Sequence, residues 1–297
     1  MSAPNRSTLI SATQKVLKKH YKPITADVKR SVLENLLFGC LLDSAKYSDA
    51  EAAWTVLLDE FFDWNEIRVA TSRELAEFFP MLTNPIAAAD RLRQALQNVF
   101  EGLYSYDLEP LQKENLGKAT QRLASFAKLS PFAVSYVVQH SLGGHSIPLD
   151  DGTMQLMLIL DIVTEKEAKQ HRVPGLERAV PKSKGKEYGS LLHQLSAEFV
   201  ANSYGTAVHK ILLEINPEAK ARLPKRSTKT AKKPTKKAAK TSKSAKSKSA
   251  ATKATKKTKT ATAKSKKTAK TKTAKSKTAT GTKTTVKKKT KTKRKPR

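Results

Sequence analysis

The sequence predicts an all-α protein, because apolar side chains recur at the 3.6-residue period of a helix through most of residues 25–224. Helix-start signals repeat along the same stretch, where Ser, Thr or Asn precedes a glutamate or a proline at the spacing of an N-cap. The alternation of apolar and polar residues that is typical of a half-buried strand is almost absent. A stretch of this length buries one sizeable core or two smaller ones.

The predicted helices follow from these signals in order. One apolar face predicts a helix over residues 28–41, and a further stripe predicts another over residues 116–126. Three helix starts are predicted between them: a capping box SDAE at residues 48–51, a second box TSRE at residues 71–74, and Asn84 followed by Pro85.

Further along the chain, the sequence predicts a helix, a tight turn, a helix and then a helix that begins with carboxylates. Ser130 followed by Pro131 predicts a helix start, and the Gly-Gly pair at residues 143–144 predicts its end. Asp150 and Asp151 open the next helix. An aspartate at such a position ordinarily caps the helix, so a cap and a chemical role for Asp150 are alternatives at this point.

The carboxy-terminal segment, residues 225–297, contains 31 Lys and Arg and neither Asp nor Glu, so the whole formal net charge of +31 lies there. Subtracting these 31 from the 57 basic residues leaves 26, which equals the number of acidic residues. Low hydrophobicity and like-charge repulsion predict a disordered arm, and its composition resembles that of linker-histone and bacterial histone-like tails. Such a polycation binds nucleic acid by releasing counterions from phosphates. A solubility tail and a membrane-surface patch are the alternatives.

Cysteine content and hydropathy indicate the compartment. The single cysteine, Cys40, lies in an apolar run, which excludes an intrachain disulfide and indicates a reducing environment. We expect neither a signal peptide nor a membrane span, since a span needs about 18 apolar residues. We therefore expect a cytoplasmic protein, nucleoid-associated in a bacterium or nuclear in a eukaryote. His140 and His145 lack the spacing of metal ligands, so neither a metal nor a cofactor is expected.

The helical hairpin, the short apolar connection and the Leu-Asp at a helix start together resemble the core of the endonuclease III-like DNA glycosylases. The resemblance covers roughly residues 28–223 and implies a two-lobed helical domain. In that superfamily, backbone N–H groups of the hairpin bind a DNA phosphate, and an aspartate at the position of Asp150 stabilises the cationic sugar formed as a flipped base departs. Residues 34–49 resemble the early helix and loop that enter the cleft, with Ser44-Ala45-Lys46 in place of Ser-Ala-Gln.

Three departures from the superfamily pattern alter what the resemblance implies. The hairpin turn, residues 128–131, reads Lys-Leu-Ser-Pro where the superfamily has Pro-Gly-x-Gly, so the turn has no glycine and one N–H fewer. The position of the lyase lysine falls at Phe132 or Ala133, which implies no lyase reaction. The four cysteines of the iron–sulfur cluster are missing, which implies no cluster.

The resemblance, together with the polybasic tail, implies a DNA-binding protein that acts in base-excision repair as a monofunctional N-glycosylase, with Asp150 as the catalytic residue. The alternative is a non-catalytic architectural protein of chromatin or the nucleoid. Double-stranded DNA is the expected partner, RNA is the alternative, and a monomer is expected. The expected organisation is a lead-in over residues 1–24, the helical domain over 25–224 and the tail over 225–297. The predicted DNA contacts are Ser44, Lys46, Tyr47, Lys128, Ser130, Lys225, Arg226, Lys232, Lys233, Lys236 and Lys237.

Overall fold

A computed structural model of the chain describes residues 5–24, 29–126 and 129–225, and the regular structure within these ranges is entirely helical. The all-α prediction is therefore confirmed. The α-helices are α1 (Arg6–His20), α2 (Val32–Leu42), α3 (Tyr47–Glu60), α4 (Trp64–Val69), α5 (Ser72–Glu77), α6 (Pro85–Leu103), α7 (Leu116–Ser125), α8 (Pro131–His140), α9 (Asp151–Ile159), α10 (Glu165–Lys169), α11 (Leu176–Ala179), α12 (Lys182–Ala201) and α13 (Thr206–Ile215). Two short 3-10 helices span Glu109–Lys113 and Pro217–Ala221.

The buried side chains form two hydrophobic cores, as a two-lobed domain requires. The first core is built from side chains between Val32 and Val137, and the second combines α1 with the helices from α9 onward. The tail segment that follows residue 225 lies outside the described residues, as do residues 127–128 of the hairpin turn. In the part of the chain that the structure describes, no helix is long and apolar enough to cross a bilayer.

Helix α2 is the centre of the first core, because all of its residues are buried. An N-terminal capping box holds its start: the Ser31 side chain accepts from the Glu34 N–H, and Glu34 accepts from the Ser31 N–H at 2.7 Å. The helix packs against α6 and α8. A Cβ at Gly39 would lie 3.1 Å from the Ala133 backbone, so glycine permits this close approach of α2 to α8.

Helix α1 belongs to the second core, although its residues fall within the segment expected to be a lead-in. Leu9, Ile10, Val16 and Leu17 are buried there, and the helix packs against α11, α12 and α13. Its polar face adds an ion pair of 2.8 Å between Lys19 and Glu214. The helical domain of the structure therefore includes residues 6–20.

Two of the three predicted helix starts are confirmed and one is wrong. Thr71 forms its capping box with Glu74, and Asn84 caps α6 with Pro85 at the first helical position. Helix α3 instead begins at Tyr47, before the box predicted at residues 48–51. The glutamate of that box, Glu51, pairs at 2.6 Å with the buried guanidinium of Arg30, so it does not reach back to the helix start.

Candidate functional site

The helical hairpin consists of α7 and α8, and its second helix begins with Pro131 as predicted. Ser130 occupies the N-cap position, but its side chain makes no capping hydrogen bond. Its hydroxyl instead donates to Asp43 Oδ2 at 2.5 Å. The hydroxyl predicted to contact DNA is thus committed to a carboxylate at the end of α2. Lys128, the other predicted contact of the turn, lies outside the described residues.

Asp43 is a site residue that the sequence analysis did not identify. It follows α2 directly, and its carboxylate accepts hydrogen bonds from Ser130 and, at 3.2 Å, from Ser44. Arg91 Nε lies 3.6 Å from Oδ2, and the same guanidinium donates to the Cys40 and Asp43 carbonyls. Burial raises the pKa of Asp43 and the charge of Asp150 adds to this, while Arg91 and Ser130 oppose it. Its position in the sequence, a charged residue immediately after an apolar helix, could have indicated a site residue.

Asp150 is the N-cap of α9 and is only 1% exposed. Its Oδ1 accepts two hydrogen bonds, from the Thr153 N–H at 2.8 Å and from Ser196 Oγ at 2.7 Å. Gly152 allows this arrangement, because a Cβ there would lie 2.4 Å from Ser196 Oγ. Within the described part of the chain, Oδ2 accepts no hydrogen bond. Asp150 therefore caps α9 with Oδ1, and Oδ2 takes no part in the cap.

His193 of α12 faces that second oxygen. The ring is buried, Nε2 lies 2.8 Å from the Ala45 carbonyl oxygen, and Nδ1 lies 3.8 Å from Asp150 Oδ2. The Phe132 ring packs against it with centroids 5.3 Å apart. Nothing in the sequence connects His193 with Asp150, because the position of a histidine on a helical stripe does not indicate which residue it contacts on another helix.

The loop after α2 places the three predicted cleft residues in different surroundings. Ser44 has a left-handed backbone conformation with φ 67° and bonds to Asp43. Lys46 is exposed at the N-cap of α3. Tyr47 is half-buried with its ring 5.6 Å from that of Phe38, and burial together with a hydrogen bond to Glu51 raises its pKa to about 12. Of the three, Tyr47 lines a cavity.

That cavity, which we term the aromatic cavity, has a volume of about 470 Å³. Tyr136 and His140 stack in its wall with ring centroids 4.1 Å apart and planes 18° apart. Burial, reinforced by the positive charges of Lys186 and Arg30, lowers the pKa of His140 to about 4, so this ring is neutral at pH 7. Its lining includes Tyr47, Phe132, Tyr136, His140, Lys186 and His193.

A second cavity of about 280 Å³, the acidic cavity, adjoins the hairpin. Phe132 lines both cavities, Asp150 lines the acidic one and His193 lines the aromatic one. The two members of the Asp150–His193 pair therefore line different cavities, Asp150 the polar one and His193 the apolar, aromatic one. The lining of the acidic cavity includes Asp43, Arg91, Ser130, Asp150, Asp151 and His171.

The chain does not fit the iron–sulfur cluster or the lysine chemistry of many endonuclease III-like proteins. Cys40 is the one cysteine in the sequence and is buried in α2, whereas the cluster needs four thiolates. Phe132 and Ala133, at the lysine position, are buried apolar residues. Among the residues that the structure describes, no group of three or more His, Cys, Asp or Glu is arranged to hold a metal ion.

The predicted contacts of the tail are almost all beyond the described ranges. Lys225 is exposed and is the last described residue. The other predicted tail contacts, which lie outside the described residues, are Arg226, Lys232, Lys233, Lys236 and Lys237.

Comparisons with known proteins identify the fold. No protein-family model matches the sequence, and a search of curated proteins finds no match. The structure is similar to that of endonuclease III trapped as a covalent intermediate with DNA, with a TM-score of 0.53 and 12% identity over 75% of this chain and 100% of the other. A thermostable thymine-DNA glycosylase gives a TM-score of 0.42 and 15% identity over 66% of this chain and 86% of the other, which adds no weight. The described part of the chain therefore has the endonuclease III-like helix-hairpin-helix glycosylase fold.

Proposed function

We propose that this protein is a monofunctional DNA N-glycosylase of base-excision repair, held on DNA by its polybasic tail. The observation that carries the proposal is the buried Asp150 carboxylate at the wall of the acidic cavity: two donors fix its Oδ1, and its Oδ2 has no hydrogen-bond partner among the described residues. A buried carboxylate poised beside a cavity is a feature of catalytic sites rather than of ordinary caps.

The aromatic cavity supports the binding of an extruded base. An enzyme that acts on a base in duplex DNA turns the nucleotide out of the stack and encloses the base between aromatic or apolar side chains. The stacked Tyr136 and His140 rings and the Phe132 ring offer such walls, and the neutral His140 presents a hydrogen-bond donor and acceptor. Phe132 lines both this cavity and the acidic cavity that Asp150 lines, so a base bound here would lie near the part of the fold that contains Asp150.

The chemistry at Asp150 would be electrostatic stabilisation. Loss of the base leaves an oxocarbenium-like cation at C1′, and an ionised carboxylate in a site shielded from water stabilises that charge strongly. The bonds from Thr153 and Ser196 fix the carboxylate in place, so little reorganisation accompanies the reaction. Because Phe132 or Ala133 stands where the superfamily lysine would form a Schiff base, we assign hydrolysis without strand cleavage.

The tail would supply affinity for DNA without sequence specificity. Its 31 basic residues, unopposed by acidic ones, attract the phosphate backbone of double-stranded DNA through counterion release. We infer that the protein resides on chromosomal DNA, at the nucleoid of a bacterium or in a eukaryotic nucleus, and acts as a monomer. RNA is the competing polyanion for this segment.

One observation favours a second candidate, a non-catalytic architectural protein. Two positions of the hairpin turn that the structure describes offer no free donor to a phosphate, because Pro131 lacks an N–H and the Ser130 hydroxyl is donated to Asp43. A domain with a weakened hairpin would serve mainly to orient the tail on DNA.

A base-release assay separates the two candidates. Full-length protein is incubated with duplexes that each carry a damaged or mismatched base, and alkali then cleaves any abasic site. Glycosylase activity predicts alkali-dependent breaks on at least one duplex and a loss of about 10²–10³-fold in Asp150→Asn. Asparagine keeps the shape of the cap, so the variant tests the charge.

The matched control is Asp63→Asn, the same substitution at the half-buried N-cap of α4, where Asp63 accepts from the Glu66 N–H at 2.8 Å. This variant is expected to release the base at the wild-type rate. Breaks that persist in Asp150→Asn would remove the role of Asp150, and a lack of breaks on every duplex would favour the architectural candidate.

A further inference from the structure

Gln139 of α8 has a side-chain amide of which only the nitrogen end is bonded. The residue is 5% exposed and belongs to the lining of the aromatic cavity. Its Nε2 donates to the Ser146 carbonyl oxygen at 2.6 Å, and because a carbonyl oxygen can only accept, this bond fixes the orientation of the amide. Among the described residues, the other end of the amide, Oε1, accepts no hydrogen bond.

Two glycines of α12 locate the free Oε1 beside the aromatic cavity. A Cβ at Gly189, which is part of the cavity lining, would lie 3.7 Å from Oε1 of Gln139 and 3.8 Å from its Nε2. A Cβ at Gly185, which is not part of the lining, would lie 3.6 Å from Nε2. Oε1 does not belong to the unpartnered polar atoms that are sealed from solvent, so it keeps accessible surface. The amide therefore turns its acceptor towards the cavity and its donor towards the backbone.

The charge at the aromatic cavity is positive. Lys186 lines the cavity and is exposed. Among the described residues of the lining, Glu187 is the one carboxylate, and it pairs with Lys18 at 2.8 Å. The ammonium group of Lys186 is therefore the charge of the lining that a bound base would meet.

His140 shows how these surroundings act on a flat ring in the cavity wall. Its ring stacks on Tyr136, much as a bound base would stack on an aromatic side chain. Aromatic rings attract cations, but burial and the positive charges of Lys186 and Arg30 lower the pKa of His140 and so disfavour its cationic form. The same surroundings disfavour a base that carries a positive charge.

We propose that Gln139 is a specificity-determining residue, which accepts a hydrogen bond through Oε1 from an N–H of the extruded base. Together with the positive charge of Lys186, it restricts the aromatic cavity to uncharged bases that carry such an N–H. The inference rests on the proposed function, since it requires that a base enters this cavity. A base without the N–H would leave a buried acceptor without a donor and would be bound less tightly.

Two properties, an N–H and the absence of charge, define the class of base. Uracil with its N3–H and hypoxanthine with its N1–H are uncharged and have both properties. Their derivatives 3-methyluracil and 1-methylhypoxanthine are also uncharged but lack that N–H. In DNA, 7-methylguanine carries a positive charge, so this base is excluded although it has an N–H.

The first test compares these bases in duplexes that are otherwise identical, with full-length wild type. Each base is placed opposite a stable abasic analogue, so that no base pair has to be broken. We expect single-turnover release of uracil or hypoxanthine to be about 10–10²-fold faster than release of its methyl derivative. Equal release of the two, or faster release of 7-methylguanine than of either uncharged base, would overturn the proposal.

The second test is the same ratio of rates in Gln139→Met, which removes the acceptor but keeps the length of the side chain. We expect the ratio to fall towards one, and a lower overall rate or stability of the variant does not alter a ratio. Gln112→Met is the control, because Gln112 is exposed, lines neither cavity and bonds to Glu109 at 2.6 Å. It should keep the wild-type ratio. An unchanged ratio in Gln139→Met would show that the methyl group is rejected by its size, and would overturn the role of Gln139.

A binding measurement separates this inference from the proposed function. A fluorine at C2′ of the target nucleotide prevents release of the base, and competition with undamaged duplex then measures the affinity of the full-length protein. We expect the wild type to bind the uracil duplex about tenfold more tightly than the 3-methyluracil duplex, and Gln139→Met to bind both equally. Such a preference without release of any base would retain the role of Gln139 and contradict the glycosylase. The absence of both preference and release would overturn both.

Discussion

Ser130 donates a hydrogen bond of 2.5 Å to Asp43, and this bond joins the hairpin to the end of α2 across 87 residues of sequence. Asp43 is largely buried, and its other contacts are Ser44 and the guanidinium of Arg91. Because the serine occupies the residue before Pro131, the bond fixes where the second helix of the hairpin begins. The bond thus ties the start of the second hairpin helix to the end of α2.

Removing this bond should destabilise the fold. In Ser130→Ala the buried Asp43 carboxylate loses a donor, so the free energy of unfolding is expected to fall by about 1.5–3 kcal/mol, as measured by urea denaturation at pH 7. Ser48→Ala is the control, because the Ser48 hydroxyl is exposed and bonds only to its neighbour Asp49 among the described residues. That control should change the free energy by less than about 0.5 kcal/mol. Equal effects of the two variants would contradict the importance of the Ser130–Asp43 bond.

Gly152 is expected to be essential for the position of Asp150. A Cβ at this residue would lie 2.4 Å from Ser196 Oγ and 2.5 Å from Val200 Cγ2, so Gly152→Ala must displace the serine that bonds to Asp150. We expect a loss of about 1–3 kcal/mol in unfolding free energy, together with slower base release.

Gly189→Ala is the matched control on α12, because its Cβ would make ordinary contacts of 3.6 Å with Pro148 and 3.7 Å with Gln139. An alanine there should leave the unfolding free energy unchanged or raise it by about 0.5–1 kcal/mol, since glycine weakens a helix interior. If Gly189→Ala destabilised the protein more than Gly152→Ala, the claim that the close approach of α9 and α12 requires a glycine at residue 152 would be wrong.

Sequence patterns predicted the features of this fold that depend on local contacts. The helical class, the capping box of Thr71 with Glu74, the start of α6 at Pro85 and the N-cap at Asp150 each involve residues within a few positions of one another. These features depend on residues close together in the sequence and are little affected by the rest of the chain.

Features that depend on distant contacts were not predicted. The Ser130–Asp43 bond and the Asp150–His193 pair connect separate helices, and no spacing rule relates their positions. The capping box predicted at residues 48–51 failed for the same reason: the buried Arg30 guanidinium, which stacks over the Phe38 ring at 3.9 Å, recruits Glu51. A tertiary ion pair thus overrode a local preference.

His140 is expected to make the protein less stable as the pH falls below 6.5. Its pKa is about 4 in the folded protein, below the ordinary value of 6.5, so the unfolded chain binds this proton at a higher pH than the folded one. The stability is therefore complete above pH 6.5 and is lost as the pH falls towards 4, by roughly 3 kcal/mol at the limit. In His140→Gln this contribution disappears, so urea denaturation at pH 7 and pH 4.5 should show a smaller difference than in the wild type. Equal losses in the two proteins would contradict the assignment.

The affinity that the tail gives for DNA should depend on the number of its positive charges and not on the order of its residues. With about ten phosphate contacts, the logarithm of the association constant should fall with the logarithm of salt concentration with a slope near −9, and removal of residues 225–297 should flatten that slope. Fluorescence anisotropy with a labelled duplex measures both, once circular dichroism has verified that the truncated protein is helical.

A variant with the same tail residues in permuted order is the control for this experiment. Counterion release depends on the number of lysines near the phosphates, so the permuted tail should bind duplex DNA with the wild-type affinity and the wild-type slope. A strong loss of DNA affinity on permutation would mean that the tail presents a specific motif instead.

Because phosphates of RNA release counterions too, a double-stranded RNA of equal length should bind with similar affinity through the tail. Any preference for DNA must then come from the helical domain.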